Sequence, residues 1–127
     1  MIKGRQLDHI GLAVTDIEAS RAWYCDVLGF AVIGHFYSGT TPVYFLKNGE
    51  TVYEMFEKDL PETLQGKIDH ISFVSNDIEA DYAYCKEQGY AMATDGIQAI
   101  PSFWEKGCRY FKLATPTNEQ VEFCQIL

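Results

Sequence analysis

Basic side chains are scarce in this sequence. Ten lysines and arginines stand against 18 aspartates and glutamates, so the formal net charge is −8 at pH 7. Nucleic acids and anionic membranes attract proteins through clustered lysines and arginines. The basic residues here are scattered, with one loose group at Lys106, Arg109 and Lys112. We therefore expect neither nucleic acid nor a membrane as a partner.

Long apolar runs and closely spaced cysteines are also absent. The first ten residues, MIKGRQLDHI, contain no apolar run of signal-peptide length, and nowhere do 18 apolar residues follow one another. The four cysteines, which show no C-x-x-C spacing, are Cys25, Cys85, Cys108 and Cys124. This pattern favours free thiols in a reducing compartment, so we predict a cytoplasmic protein. A length of 127 residues with 47% hydrophobic content predicts one globular domain.

What the sequence does contain is a repeated phrase. LDHIGLAVTDIEAS begins at Leu7, and IDHISFVSNDIEAD begins at Ile68. Aligned without gaps, residues 7–22 and 68–83 agree at 8 of 16 positions. Self-similarity at a long fixed offset is typical of a repeated structural unit. The sequence therefore predicts two copies of one module.

Each copy predicts a strand followed by a helix. Residues 7–14 alternate and are rich in β-formers, which indicates a strand. Capping-box patterns at Thr15–Glu18 and Asn76–Glu79 predict the helix starts. Gly29 and Gly89 predict the helix ends.

Three strand-like runs follow each helix, with turns before the last strand of each copy. They lie at residues 31–37, 43–46 and 51–56 in the first copy and at residues 91–94, 110–113 and 120–125 in the second, with turns at Asn48-Gly49 and Thr115–Asn118. The predicted fold class is α+β, with two tandem β-α-β-β-β modules at about 5–58 and 68–127 in a single domain, 1–127. Pro61 and Gly66 indicate a linker at about 59–67.

Strand alternation separates two histidines from the predicted core. Leu12 and Val14 suit packing under the helix, so His9 must point to the other face of its strand. His70 occupies the equivalent position in the second copy, with Ser72 on the same face.

The last strand of each copy adds a carboxylate in apolar surroundings. Glu54 lies in VYEMF and Glu122 in QVEFC, and burying either one is costly unless it is paired or bound to a cation. Two imidazoles and two carboxylates suit Zn, Ni, Co, Mn or Fe(II). The alternative to metal binding is that the histidine pair arose by gene duplication and has been kept only for packing. The recurrence of both glutamates favours a metal site, around which we predict that the modules form a curved mixed sheet.

The phrases DHIGLAV, DIE, YCDVLGF and YEMFE of the first copy, with DHISFV and VEF of the second, resemble the vicinal oxygen chelate superfamily (the glyoxalase/bleomycin resistance protein/dioxygenase family). The resemblance covers essentially the whole chain, and many activities share these motifs. It implies that His9, Glu54, His70 and Glu122 ligate one divalent metal ion per site.

A set of four ligands resembles glyoxalase I and methylmalonyl-CoA epimerase within that superfamily. It implies a metal-dependent isomerase or lyase of the lactoylglutathione lyase type, which enolises a small 2-oxo or thiol-adduct substrate through a metal-bound enediolate. By the same resemblance Glu122 is the catalytic base, with Glu54 as its partner or the alternative base.

The substrate is less well defined by the motifs. Glyoxalase I enzymes usually hold glutathione through an arginine and an asparagine at positions that are Ala13 and Lys58 here. Candidates for substrate contact are Phe45, Phe56, Trp104 and Arg109.

Three alternatives stay open: a methylmalonyl-CoA epimerase-like enzyme, an Fe(II) extradiol dioxygenase and a non-catalytic drug-binding resistance protein. The resemblance also implies a homodimer that acts on a small molecule, with sites either within one chain or shared between two.

Overall fold

The computed structural model describes residues 2–59, 61, 68–114 and 120–127. The chain divides into two compact units. One comprises His9–Asp69, and the other comprises Met1–Asp8 together with His70–Leu127. The N-terminal segment therefore belongs to the same unit as the second half of the chain. Most of the predicted linker and the predicted turn at Thr115–Asn118 lie outside the described residues.

The first module contains one helix and four strands. Their bounds are β1 (Leu7–Val14), α1 (Ile17–Leu28), β2 (Ala31–Ser38), β3 (Thr41–Asn48) and β4 (Thr51–Glu57). The strand order is β2-β3-β4-β1, in which β3 is antiparallel to both neighbours and β4 is parallel to β1. The Asn48-Gly49 hairpin is confirmed, because Asn48 pairs with Thr51 and Gly49 takes a φ of 61°.

The second module repeats this order. Its elements are β5 (Ile68–Val74), α2 (Ile78–Glu87), β6 (Gln98–Ile100), β7 (Cys108–Ala114) and β8 (Gln120–Ile126), and its strand order is β5-β8-β7-β6. β5 runs parallel to β8, and β7 is antiparallel to both β8 and β6.

The strand predicted at residues 91–94 is not formed. Met92 makes only an isolated bridge to Leu113, and the strand beside β7 is the short β6. A turn explains the difference: Gly96 has a φ of 73°, and the Gln98 side chain donates a hydrogen bond to the Asp95 carbonyl. The chain therefore leaves the sheet after Met92 and rejoins it at Gln98.

The two helices begin one residue later than the capping boxes predicted. The Asp16 carboxylate, rather than Thr15, accepts a hydrogen bond from the Ala19 amide at 3.0 Å, and Asp77 does the same for Ala80 at 3.1 Å. A carboxylate at this position also suits the positive end of the helix dipole.

Side chains from the last strand of each module bind the first amide of its helix. Glu57 Oε2 accepts from the Ile17 amide at 3.2 Å, and Gln125 Oε1 accepts from the Ile78 amide at 3.0 Å. The two modules thus fix the helix to the sheet in the same way.

Each helix covers one face of its own sheet. The buried side chains under α1 are Leu12, Val14, Ile17, Phe30, Tyr44, Leu46 and Met55. Those under α2 are Ile78, Cys85, Phe111 and Phe123. The predicted packing of Leu12 and Val14 under the helix is confirmed.

A polar network fastens the N-terminal segment to α2. Both guanidinium amino groups of Arg5 bind the Asp81 carboxylate, at 2.8 and 2.5 Å. Asp81 also accepts a hydrogen bond of 2.6 Å from the Ser75 hydroxyl. These contacts join the N-terminal segment to the unit that contains α2.

The α+β class and the paired β-α-β-β-β modules are confirmed. Within the described residues, no helix is long and apolar enough to cross a membrane.

Candidate metal centre

The first module places a histidine and a glutamate on neighbouring parallel strands. His9 lies on β1 and Glu54 on β4, and the register pairs Gly11 with Glu54. Because side chains alternate along a strand, His9 and Glu54 share the face away from α1. His9 Nε2 lies 3.8 Å from Glu54 Oε2, and the two side chains are 3% and 13% exposed.

The second module repeats this arrangement. His70 lies on β5 and Glu122 on β8, and the register pairs Ser72 with Glu122. His70 Nε2 lies 3.6 Å from Glu122 Oε2, with side-chain exposures of 3% and 7%. The four residues singled out in the sequence therefore form two equivalent pairs, one in each module.

These separations suit ligands of a metal ion. Two atoms bound to one ion at about 2.0–2.2 Å lie about 3.0–3.5 Å apart. The observed 3.6 and 3.8 Å are close to that range, and they exceed the about 2.7–3.2 Å of an ordinary hydrogen bond. Burial of a carboxylate next to an imidazole also favours a bound cation, because a divalent ion compensates the lost hydration.

A buried hydroxyl supports this interpretation. Ser72 is 0% exposed, and its Oγ has no hydrogen-bond partner among the described residues. Such a group costs about 1–3 kcal/mol unless a partner satisfies it. Since Ser72 stands beside Glu122 on the His70 face, a bound species with oxygen atoms would supply that partner.

The surroundings of the first pair are apolar. The Phe45 ring is 2% exposed and meets the His9 ring edge-on, with centroids 5.6 Å apart. Phe45 also lies directly opposite Glu54, while Phe56 lies opposite Ala13 on the same face. Both phenylalanines predicted as substrate contacts therefore share the face of His9 and Glu54.

The surroundings of the second pair are polar. Lys112 lies directly opposite Glu122, and Tyr110 lies opposite Cys124 on the same face. The Lys112 ammonium is 5.8 Å from the centroid of the Tyr110 ring. A cation and a phenol thus accompany Glu122 where the first module has phenylalanine.

The other two predicted substrate contacts lie elsewhere. Arg109 is an odd number of residues from Lys112, so it points to the α2 face, where it forms an ion pair with Glu79. Trp104 is half-buried in the segment between β6 and β7, with a φ of 55°. Neither residue shares a strand face with Glu122.

The third histidine belongs to a separate cluster. His35 on β2 stacks on Tyr44, with ring centroids 4.1 Å apart, on the α1 face of the sheet. The Tyr44 hydroxyl donates a hydrogen bond to Glu18 at 2.8 Å, which lowers the pKa of that carboxyl. His35 therefore lies on the opposite face from His9 and Glu54.

The four cysteines are free, as the sequence predicted. Cys108 and Cys124 are buried on the Glu122 face of the second module. A hydrogen bond that the Cys124 thiol donates to Cys108, and then burial, raise the pKa of the Cys124 thiol. A thiol held in its neutral form is a poor nucleophile.

The profile of the Glyoxalase/Bleomycin resistance protein/Dioxygenase superfamily matches residues 6–122. The chain belongs to this superfamily. The resemblance seen in the motifs is thereby confirmed at that level, and it extends over both modules.

Several other proteins are similar to this chain. The uncharacterized protein YwbC of Bacillus subtilis (strain 168) is 32% identical over 130 residues, which span 95% of this chain and 98% of YwbC. A hypothetical protein of Bacillus halodurans has a similar structure, with a TM-score of 0.79, 27% identity and coverage of 98% and 96% of the two chains. A methylmalonyl-CoA epimerase variant of Streptomyces coelicolor, in complex with 2-nitronate-propionyl-CoA, gives a TM-score of 0.76 at 21% identity, covering 94% and 93%. That last likeness concerns the fold.

Proposed function

We propose that the protein is a metal-dependent isomerase or lyase of the glyoxalase type, acting on a small 2-oxo or thiol-adduct substrate. The observation that carries this proposal is the buried histidine–glutamate pair on equivalent strands of both modules. A buried carboxylate destabilises the fold unless a cation lies next to it. Packing alone therefore does not explain why both modules have kept the pair.

We propose His9, Glu54, His70 and Glu122 as ligands of one divalent ion, which is Zn, Ni, Co, Mn or Fe. When bound, such an ion polarises a substrate carbonyl and stabilises the negative charge that develops on its oxygen. Nitrogen and carboxylate donors in this ratio fit each of these metals.

The proposed proton transfer is carried out by the glutamates. Glu122 is our choice of base, because its side chain is 7% exposed and stands between a hydroxyl donor and a cation, Ser72 and Lys112. It would remove a proton from the carbon next to the carbonyl and return it to the same or a neighbouring carbon. Glu54, the equivalent residue of the first module, is the partner or alternative base.

Glu122→Gln tests this assignment. The amide keeps an oxygen for the metal but cannot accept the proton, so we expect metal to be retained with turnover at least about 100-fold lower. Metal content is measured by elemental analysis, and turnover is measured with methylglyoxal plus several thiols. Glu50→Gln, in the exposed hairpin turn, is the matched control. Full turnover by Glu122→Gln would disprove the assignment.

Metal stoichiometry tests the shared ligand set. One ion per chain, lost in both His9→Ala and His70→Ala, is the expected result. Two ions per chain, with one lost in each variant, would show that the modules bind metal independently and would refute the shared set.

A methylmalonyl-CoA epimerase-like reaction is the second candidate. The favouring observation is Lys112 beside Glu122, which adds a cation where an acidic thioester substrate would need one. Hydrogen–deuterium exchange at the α-carbon of methylmalonyl-CoA, compared with turnover of thiol adducts, separates the two candidates. Ring cleavage of a catechol with oxygen uptake would instead identify a dioxygenase, and drug binding that needs no metal would identify a resistance protein.

We also infer a cytoplasmic homodimer. The inference is supported by membership of the superfamily and by the free cysteines. Sedimentation equilibrium of the purified chain tests the oligomeric state, and a monomer at micromolar concentration would refute it.

A further inference from the structure

The two modules present different side chains at equivalent positions around their glutamates. Gly11 is paired with Glu54 where Ser72 is paired with Glu122. On the other side, Phe45 lies opposite Glu54 where Lys112 lies opposite Glu122. Since the same module is built with glycine and phenylalanine at these positions, neither the serine nor the lysine is required by the fold.

We propose that Lys112 is a specificity-determining residue, whose ammonium binds an anionic oxygen of the substrate, such as a carboxylate. This inference rests on the proposed function and names the substrate class of that site. The substrate's charged group would lie against the second module, beside Glu122.

The position of the Lys112 side chain supports this role. Its ammonium lies 5.8 Å from the Tyr110 ring centroid, and Tyr110 shares the Glu122 face. The side chain is half-buried, so it follows the strand surface instead of extending into solvent. The ammonium is therefore held over the face that carries the candidate ligands.

The other basic residues of the same region do not lie on this strand face. Arg109 forms an ion pair with Glu79 on the α2 face, and Lys106 is exposed in the segment before β7. In a chain with a net charge of −8, an anionic substrate meets overall repulsion. A cation placed directly beside the candidate base offsets that repulsion where the substrate binds.

Ser72 adds an independent observation. Its buried hydroxyl, which has no partner among the described residues, stands on the β5 side of Glu122, whereas Lys112 stands on the β7 side. Both side chains can donate hydrogen bonds. A half-site with donors on both sides of a carboxylate is complementary to the oxygen atoms of an anionic ligand.

A matched pair of metal-binding probes tests Lys112. Succinic acid monohydroxamate and its methyl ester carry the same hydroxamate, which would bind the metal, but only the first has a free carboxylate. With zinc-loaded protein we expect calorimetry to show that the acid binds at least about tenfold more tightly than the ester, the size expected of a charge-assisted hydrogen bond. The preference should shrink as the salt concentration rises.

The variants separate charge from structure. In Lys112→Met, which keeps the length of the side chain, the preference for the acid should disappear while zinc content and ester affinity are retained. Lys112→Arg should keep most of the preference, and Lys106→Met should keep all of it. A preference that survives in Lys112→Met overturns the proposal, and Lys112→Gln repeats the test if the methionine variant does not fold.

The probes also distinguish failure of the role proposed for Lys112 from failure of the proposed metal-dependent function. A wild-type protein that binds neither zinc nor the methyl ester would refute the metal-dependent function, and the role of Lys112 with it. A protein that binds zinc and both probes with equal affinity would refute the role of Lys112 alone.

Discussion

Cys85 lies at the centre of the second module's core. It is 0% exposed on α2 and packs with Ile78, Phe111 and Phe123. Burial, followed by the charge of Asp81, raises the pKa of its thiol above the ordinary 9.0. The folded protein therefore keeps this proton at a pH where the unfolded chain releases it.

The raised pKa predicts a loss of stability in alkali. Below pH 9.0 both states hold the thiol proton, and the full contribution is present. As the pH rises above that value, only the unfolded chain ionises, so the free energy of unfolding falls, by at most about 1.4 kcal/mol per pH unit for one proton. Urea unfolding between pH 8 and pH 10.5 should show a shallower decline in Cys85→Ala than in wild type. Equal slopes would contradict this prediction.

The histidines show what alternation along a strand can predict at a single residue. The apolar residues Leu12 and Val14 define the helix side, and this pattern alone places His9 on the opposite face of the strand. The choice between Arg109 and Lys112 needs the register of β7 against β8, because that pairing depends on the whole sheet. The unsatisfied hydroxyl of Ser72 is a packing property and follows only from the folded structure.

The helix starts provide a test at the scale of one element. Asp16 accepts a hydrogen bond from the Ala19 amide, whereas the sequence pattern assigns the cap to Thr15. We expect Asp16→Ala to lower the free energy of unfolding by about 1 kcal/mol. Thr15→Ala, on an exposed neighbour, should change it by less than about 0.5 kcal/mol. Chemical denaturation measures the free energy of unfolding of both variants. A larger effect for Thr15→Ala would show that Thr15, not Asp16, caps the helix.

Regular elements were predictable where a local signal defines them. The period of β1, the glycine after α1 and the Asn48-Gly49 turn each involve only neighbouring residues, and all are confirmed. Residues 91–94 have strand propensity, but the turn around Gly96 removes most of their pairing with β7. β6, of only three residues, is stabilised by its neighbour and carries little signal of its own.

At the scale of the whole molecule, metal binding should stabilise the fold. A ligand that binds only the folded state at 100 times its Kd adds about 2.7 kcal/mol to the free energy of unfolding. We expect the thermal midpoint to rise on addition of zinc or nickel and to fall with a chelator. His70→Ala should abolish this response, whereas His35→Ala, on the opposite sheet face of its module, should keep it. If added metal does not change the thermal midpoint of the wild-type protein, the result would argue against the proposed metal site.

Both histidines lie at points where the chain passes from one compact unit to the other. The division into units falls between Asp8 and His9 and again between Asp69 and His70, so each histidine is the first residue after the chain passes from one unit to the other. Each histidine also lies in the same unit as the glutamate beside it, Glu54 for His9 and Glu122 for His70. Each pair therefore forms and is lost with the folding of its own unit, so the two pairs depend on two separate folding events.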